Sequence, residues 1–406
     1  MQKKDVSENN TKKIIYMDNA ATTKMNKKAY EAMLPYFINL YGNPSSIYDI
    51  SKDARQVLVD ARHIFAKAIN CKPDEIYFTS GGSESDNWAL NYNFENIVNS
   101  KKRGHIITTA IEHHAILNTC RHLERCGIDV TYISPDENGY INPAKIKKAI
   151  RSNTFLISVM TANNEIGTIQ DVKEIGRIAK KYKIVFHSDA VQAFGHIPID
   201  VKECGIDLLS ISGHKFGGPK GSGVLYISEN IVVNPYIYGG SQEMGKRGGT
   251  ENIPAIKAMS VAADDAVNNM RENGIKMTQI RDYIIDELIH KIPFIRINGS
   301  RTKRLPNNIN LSIQYVDGKS LLIMLDSMGI CASTGSACSS KDSKPSHVLI
   351  AIGLTQELAY DSIRLTLSKD ITMEEADYVV RAICAAVKKL RKVSPEYNKI
   401  MQVKKW

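Results

Sequence analysis

From residue 24 to about 265, short apolar runs alternate with longer amphipathic stretches, and this alternation constrains the fold more than any other feature of the chain. Residues 155–160, 184–187 and 208–212 are apolar runs of strand length, and 172–181 carries its apolar residues at helical spacing. Continuous apolar runs mark strands buried on both faces, and strand–helix–strand connections make neighbouring strands parallel. The pattern therefore predicts an α/β domain, a largely parallel sheet with helices on both faces. Downstream, 256–291 predicts a long helix leading out of that domain. Residues 307–314, 320–325, 363–367 and 374–392 predict a smaller α+β domain onto which the N-terminal strand folds back. The expected division is 24–265 for the large domain, with 1–23 and 266–406 making the small one.

Open α/β sheets bind ligands outside the carboxyl ends of their strands. Two such ends here carry chemistry. The run ending at Ser212 continues as Gly213-His214-Lys215-Phe216-Gly217-Gly218-Pro219-Lys220-Gly221, with Lys215 set among small and hydroxylic residues. A lysine at its usual pKa of ~10.4 is protonated and non-nucleophilic at neutral pH, so imine chemistry needs a partly desolvated site with polar or cationic neighbours. Lys215 reads as such a Schiff-base lysine, against the plainer reading of a surface lysine in a glycine-rich turn. The run 184–187 ends in Ser188-Asp189-Ala190-Val191-Gln192, which places a carboxylate at a strand end. Pyridoxal phosphate acts as an electron sink while its ring nitrogen is protonated, and a buried carboxylate holds it so. At about 4 Å and an effective dielectric of ~20, one such pair is worth roughly 4 kcal/mol. A lone strand-end Asp is otherwise a turn former or helix cap.

A third element supplies an anion seat. Residues 75–79 read as a strand, Ser80-Gly81-Gly82-Ser83 as a tight turn and 84–93 as a helix. Glycines admit an anion close to the backbone, and a helix N-terminus presents free N–H groups to it. Neither a Walker loop nor G-x-G-x-x-G is present, which argues against a P-loop NTPase or a dinucleotide enzyme.

With these residues the chain resembles the class I cysteine desulfurases, the NifS/IscS family of fold-type I pyridoxal-phosphate-dependent transferases (aminotransferase class V). The matching blocks run almost end to end: Met17-Asp18-Asn19-Ala20-Ala21-Thr22-Thr23, Tyr41-Gly42-Asn43-Pro44, Ser80-Gly81-Gly82-Ser83-Glu84-Ser85-Asp86-Asn87, Glu112-His113-His114, Asn163-Asn164-Glu165, the Asp189 and Lys215 segments, Arg247-Gly248-Gly249-Thr250, Ser333-Thr334-Gly335-Ser336-Ala337-Cys338 and Ser362-Ile363-Arg364-Leu365. The resemblance implies that Lys215 holds the cofactor covalently, Asp189 pairs with its ring nitrogen and His113 stacks on the ring. Asn164 and Gln192 bond the ring's edge; Gly82, Ser83, Ser212 and His214 form the phosphate cup. It further implies that Thr250 reaches the phosphate of the neighbouring subunit, so that Arg247 and Thr250 lie at the interface of a homodimer. Arg364, with Asn43, is expected to bind the substrate carboxylate, a task suited to a planar guanidinium. No metal is expected.

Cys338 separates this family from the aminotransferases that share its fold. Residues 332–345 are rich in Ser, Gly, Lys and Asp without apolar periodicity, so they read as an exposed loop carrying a nucleophilic thiol. Cys71, Cys120, Cys126, Cys204 and Cys384 read as small buried hydrophobes, and Cys331 as a structural residue on a strand entering that loop. The implied reaction converts L-cysteine to L-alanine with a persulfide on Cys338. Its outer sulfur passes to an acceptor or scaffold protein of iron–sulfur cluster assembly, or serves tRNA thiolation. Selenocysteine lysis and cysteine-sulfinate desulfination are alternatives on the same scaffold.

Composition agrees with a soluble enzyme: 406 residues, 43% hydrophobic and 24% charged. Seven cysteines without CxxC pairs fit a reducing, cytoplasmic setting, and no apolar run approaches the ~20 residues of a membrane span. The net charge is +10, but the lysines are scattered and no nucleic-acid motif accompanies them. The basic surface suits acidic protein partners rather than direct nucleic-acid binding.

Overall fold

The computed structural model describes residues 14–99, 103–334 and 345–403. After a short strand β1 (Ile15–Tyr16), seven strands build the main sheet. They are β2 (Ile76–Thr79), β3 (His105–Thr109), β4 (Asp129–Ile133), β5 (Thr154–Ser158), β6 (Val185–Asp189), β7 (Leu208–Ser212) and β8 (Gly223–Ile227), in spatial order β2-β8-β7-β6-β5-β3-β4. All pairs are parallel except those made by β8, which is antiparallel to both β2 and β7. The exception has a cause: the connection 213–222 is too short for the crossover that a parallel return requires. That short connection carries Lys215.

The apolar runs behave as strands buried on both sides. Ile107, Ile157, Leu209 and Val224 belong to one core cluster, while their neighbours Ile106, Leu156, Leu208 and Leu225 belong to another. Successive side chains point to opposite faces, so each run feeds both layers. The helices Lys52–Ile69 and Ile253–Asn268 cover the first face; Gly82–Asn91 and His114–Arg125 cover the second through Trp88, Leu90, Ile116 and Cys120.

A separate core gathers around β9 (Ile295–Ile297), β10 (Asn308–Ile313) and β12 (Ser362–Thr366), an antiparallel sheet in the order β12-β10-β9. The helices Met270–Lys291, Gly318–Ser327 and Met373–Val393 pack on it. β1 runs parallel to β11 (Ile330–Cys331), and Ile15 and Met17 join this core. The single helix expected over 256–291 is two helices, one in each core. They meet at Asn269, whose side-chain amide donates to the Asp265 carbonyl at 2.8 Å, the local backbone competition that interrupts helices at Asn. No helix among the described residues is long and apolar enough to cross a membrane.

Candidate active site

A cavity of about 650 Å³ opens at the C-terminal ends of β2, β6 and β7. It is lined by Lys215, Asp189, His113, Gly82, Ser83, Asn164, Gln192, Ser212, His214 and Arg364. Thr250 and Asn43 do not line it: both are exposed, and Asn43 caps its own turn by accepting from the Ser45 N–H. Cys338 and most of its loop lie outside the described residues.

The anion seat is built by backbone conformation. Gly81 has φ +150° with ψ near 180°, a region open essentially to glycine alone, and the helix Gly82–Asn91 starts immediately after it. At Gly82 a Cβ would lie 2.7 Å from Val191 Cγ2, so glycine lets the 189–192 segment close on the turn. Ser80, Gly81, Gly82 and Ser83 all reach the cavity.

Asp189 ends β6, where its Oδ1 accepts from the Val191 N–H at 2.8 Å. Burial pushes its carboxyl above the usual range, opposed by that bond and by Lys215. Asp86, one helical turn after Gly82 and facing the same cavity, is also pushed well up by burial and by the Asp189 charge. Its Oδ1 has no hydrogen-bond partner. Behind the pair, His187 bonds Ser158 Oγ at 2.9 Å and Ser210 Oγ at 3.0 Å, and burial holds its pKa down at about 3. Two crowded carboxyls over a neutral imidazole form a wall that favours a cation in the cavity.

Lys215 Nζ donates to the Ala20 carbonyl at 2.6 Å and to the Ala21 carbonyl at 2.9 Å. Gln192 Nε2 donates to the same Ala20 oxygen at 3.0 Å. Segment 20–23 is stitched in turn to the lysine loop, since Thr23 accepts from Gly217 N–H and donates to the His214 carbonyl, each at 2.9 Å. His214 Nδ1 lies 3.1 Å from Thr22 Oγ1, and burial with the neighbouring Lys215 and Lys220 holds the ring near pKa 4.

His113 caps the helix His114–Arg125, its Nδ1 accepting from the Ala115 N–H at 3.1 Å, so the neutral ring carries its proton on Nε2. Burial, then His114 and Lys215, lower its pKa to about 4. The neighbouring Asn163 shapes the turn that presents Asn164, accepting from the Glu165 and Ile166 N–H groups at 2.8 and 3.0 Å. Arg364, on β12, reaches across from the second core. Its Nη2 donates to Asp18 Oδ1 at 2.8 Å and its Nη1 to the Asn164 carbonyl at 3.2 Å, while Nε is buried without a partner.

Five contributors escaped the sequence reading: Asp18, Glu84, Asp86 and the carbonyls of Ala20 and Ala21. Asp86 had a signal, because its i+4 spacing from Gly82 puts it on the helix face that carries the turn. Arg247, expected at a subunit boundary, pairs within its own chain with Glu84 at 2.9 Å. Of the cysteines expected to be buried, Cys126 is exposed beside His122, and Cys71, Cys204 and Cys384 are only partly buried. Each lies near the end of a helix or on a half-covered face, where the core does not close over a small side chain. Cys331 is partly buried, with burial and the charges of Asp326 and Asp18 raising its thiol.

The arrangement fits pyridoxal 5'-phosphate: a glycine turn at a helix N-terminus for a phosphate, a carboxyl wall for a pyridinium and a lysine between them. The chain belongs to the aminotransferase class-V family, whose model matches residues 15–379. The curated relatives that it matches include proteins named cysteine desulfurase. It is 49% identical over 94% of its length to the protein named "Cysteine desulfurase IscS" of Methanosarcina thermophila, covering 94% of that protein. Among solved structures, a "NIFS-LIKE PROTEIN" superposes with TM-score 0.87 at 36% identity, covering 92% of this chain and 99% of that one. "SspA in complex with cysteine" superposes with TM-score 0.78, also at 36% identity, over 87% of this chain and 98% of the other.

Proposed function

We propose that the chain is a pyridoxal-phosphate-dependent cysteine desulfurase that takes sulfur from L-cysteine and leaves L-alanine. The observation that carries this reading is the convergence of Lys215, Asp189, the 80–83 turn and Arg364 on one cavity, in a chain whose relatives bear that name. Pyridoxal 5'-phosphate, when bound, supplies the electron sink for bond cleavage at the substrate carbon. Gly82, Ser83, Ser212 and His214 would hold its phosphate, Asp189 would keep its ring nitrogen protonated, His113 would stack on the ring, and Asn164 and Gln192 would bond its edge. Lys215 would be its covalent anchor. As a free amine Lys215 would move the proton at the substrate Cα, and the Ala20 and Ala21 carbonyls, which accept from its Nζ here, would hold the resulting ammonium in place. Arg364 binds the substrate carboxylate, assisted by Asn43 from the loop beyond the cavity.

Cys338 takes the sulfur as a persulfide and passes it to an acceptor or scaffold protein of iron–sulfur cluster assembly, with tRNA thiolation a second outlet. The net charge of +10 supports an acidic partner. A homodimer in the cytoplasm completes the proposal. Segment 30–48 exposes Leu34, Phe37, Ile38, Tyr41, Ile47 and Tyr48, with Ile38 78% and Ile47 95% accessible, more apolar surface than a single chain leaves to water without a partner. Thr250, exposed in one chain, then contributes to the phosphate seat of the other. The test is chemical: borohydride reduction of the yellow protein should fix the cofactor on Lys215. Reduced cofactor mapped to another lysine, such as Lys220, would reject the assignment.

A further inference from the structure

The anion end of the cavity holds one feature that its task does not explain. Glu84 is a carboxylate that lines the seat meant for a phosphate, and its side chain is only 9% exposed. An unbalanced negative charge there would repel the ligand. Arg247 answers it from the far side of the sequence, with Nε 2.9 Å from Oε1 and Nη2 3.3 Å from Oε2, a two-pronged contact. The same carboxylate accepts from the Ser80 N–H at 2.9 Å, so the ion pair grips the first residue of the anion turn. Arg247 is itself fixed: it forms a bridge with Ile237, and its Nη1 donates to the Gly248 carbonyl at 3.2 Å. Burial alone would raise the Glu84 pKa, but the bonds from Arg247 and Ser80 hold it below the usual range, so the pair stays charged.

We propose that Arg247 is a positioning residue of the phosphate seat: by pairing with Glu84 it compensates the one carboxylate that lines the anion turn, so that no unbalanced negative charge faces the bound phosphate. The idea rests on the assignment of this cavity to pyridoxal phosphate. It makes the two halves of the ion pair unequal. Removing Arg247 leaves a bare carboxylate facing the anion, whereas removing the Glu84 charge leaves a cation that still favours it. A pair that merely braced the fold would make the two losses alike.

The experiment measures binding of inorganic phosphate, pyridoxal phosphate and phosphate-free pyridoxal to the apoprotein of wild type, Arg247→Gln, Glu84→Gln, the double variant and Arg247→Lys. Arg247→Gln should weaken both phosphate-bearing ligands about tenfold while leaving pyridoxal within about twofold, as expected for one uncompensated charge near a partly exposed anion site. Glu84→Gln should bind phosphate at least as well as wild type, and the double variant should recover most of the loss. Arg247→Lys keeps the charge and guards against a folding failure; it should lose less than Arg247→Gln. Equal losses in both single variants, extending to pyridoxal, would overturn the proposal, and so would phosphate affinities unchanged throughout. A wild-type protein that binds neither phosphate-bearing ligand would instead reject the assignment of the cavity itself.

Discussion

Arg364→Lys is the substitution that most sharply separates substrate binding from cofactor binding. In the structure the guanidinium is 4% exposed in its side chain, donates through Nη2 to Asp18 and through Nη1 to the Asn164 carbonyl, and keeps Nε buried and unpartnered. Lysine preserves the charge opposite Asp18 but is a point donor, so it cannot satisfy Asp18 and also present two parallel N–H groups to an incoming carboxylate. The loss should be that of one hydrogen bond to a charged group, about 1.5–3 kcal/mol. That corresponds to a roughly 10- to 150-fold fall in kcat/KM, carried by KM if the contact is made equally in ground and transition states. The assay is alanine production across a range of L-cysteine concentrations, with a parallel titration of the apoprotein by pyridoxal phosphate. Cofactor affinity should stay within about twofold of wild type, because no phosphate or ring contact is assigned to Arg364. An unchanged KM would refute the carboxylate role. A collapse of cofactor binding with intact folding would show that Arg364 serves the ring rather than the substrate.

Glu165 supplies a pH-dependent test of stability. It is buried, bonded by Ser346 Oγ, and burial pushes its carboxyl up to about 7 against the pull of Ser346 and Arg364. A folded-state pKa above the unfolded value favours the fold at low pH and is lost as pH rises through about 7, a change of about 3 kcal/mol. The unfolding free energy of wild type relative to Glu165→Gln should therefore fall by that order between about pH 4.5 and pH 8, and a flat difference would contradict it. Thr250→Ala should leave the proposed dimer intact by sedimentation yet weaken pyridoxal phosphate binding by about 1.5–3 kcal/mol; unchanged affinity would remove Thr250 from the proposed phosphate seat.

The parts of this site that a sequence exposes are those where local pattern and chemistry coincide. Asp189 and Lys215 follow apolar runs directly, so reading the strands also locates the residues at their ends. The glycine turn at 81–82 is legible for the same reason, since glycine marks the backbone that only it can adopt. Pairings across the chain are not legible in this way. Arg364 meets Asp18 over 346 positions and Arg247 meets Glu84 over 163, and nothing in either neighbourhood names the partner. Glu84 by itself reads as an ordinary acid in a helix's first turn. The carbonyls of Ala20 and Ala21 that receive Lys215 are backbone groups, invisible to any reading of side chains. The break at Asn269 was hidden because apolar spacing continues through it, although the two halves serve different cores.

The central claim is a division of labour in which Lys215 and its surroundings handle the substrate carbon while Cys338 handles only the sulfur. The most direct measurement is alanine release together with the intact mass of the chain after L-cysteine treatment, in wild type, Cys338→Ser and Cys331→Ser. Wild type and Cys331→Ser should release alanine and gain one sulfur on Cys338. Cys338→Ser should stay yellow, respond spectrally to L-cysteine, and yet release no alanine and carry no persulfide. Near-normal alanine release by Cys338→Ser, or a persulfide found on Cys331 with Cys338 unmodified, would contradict the account.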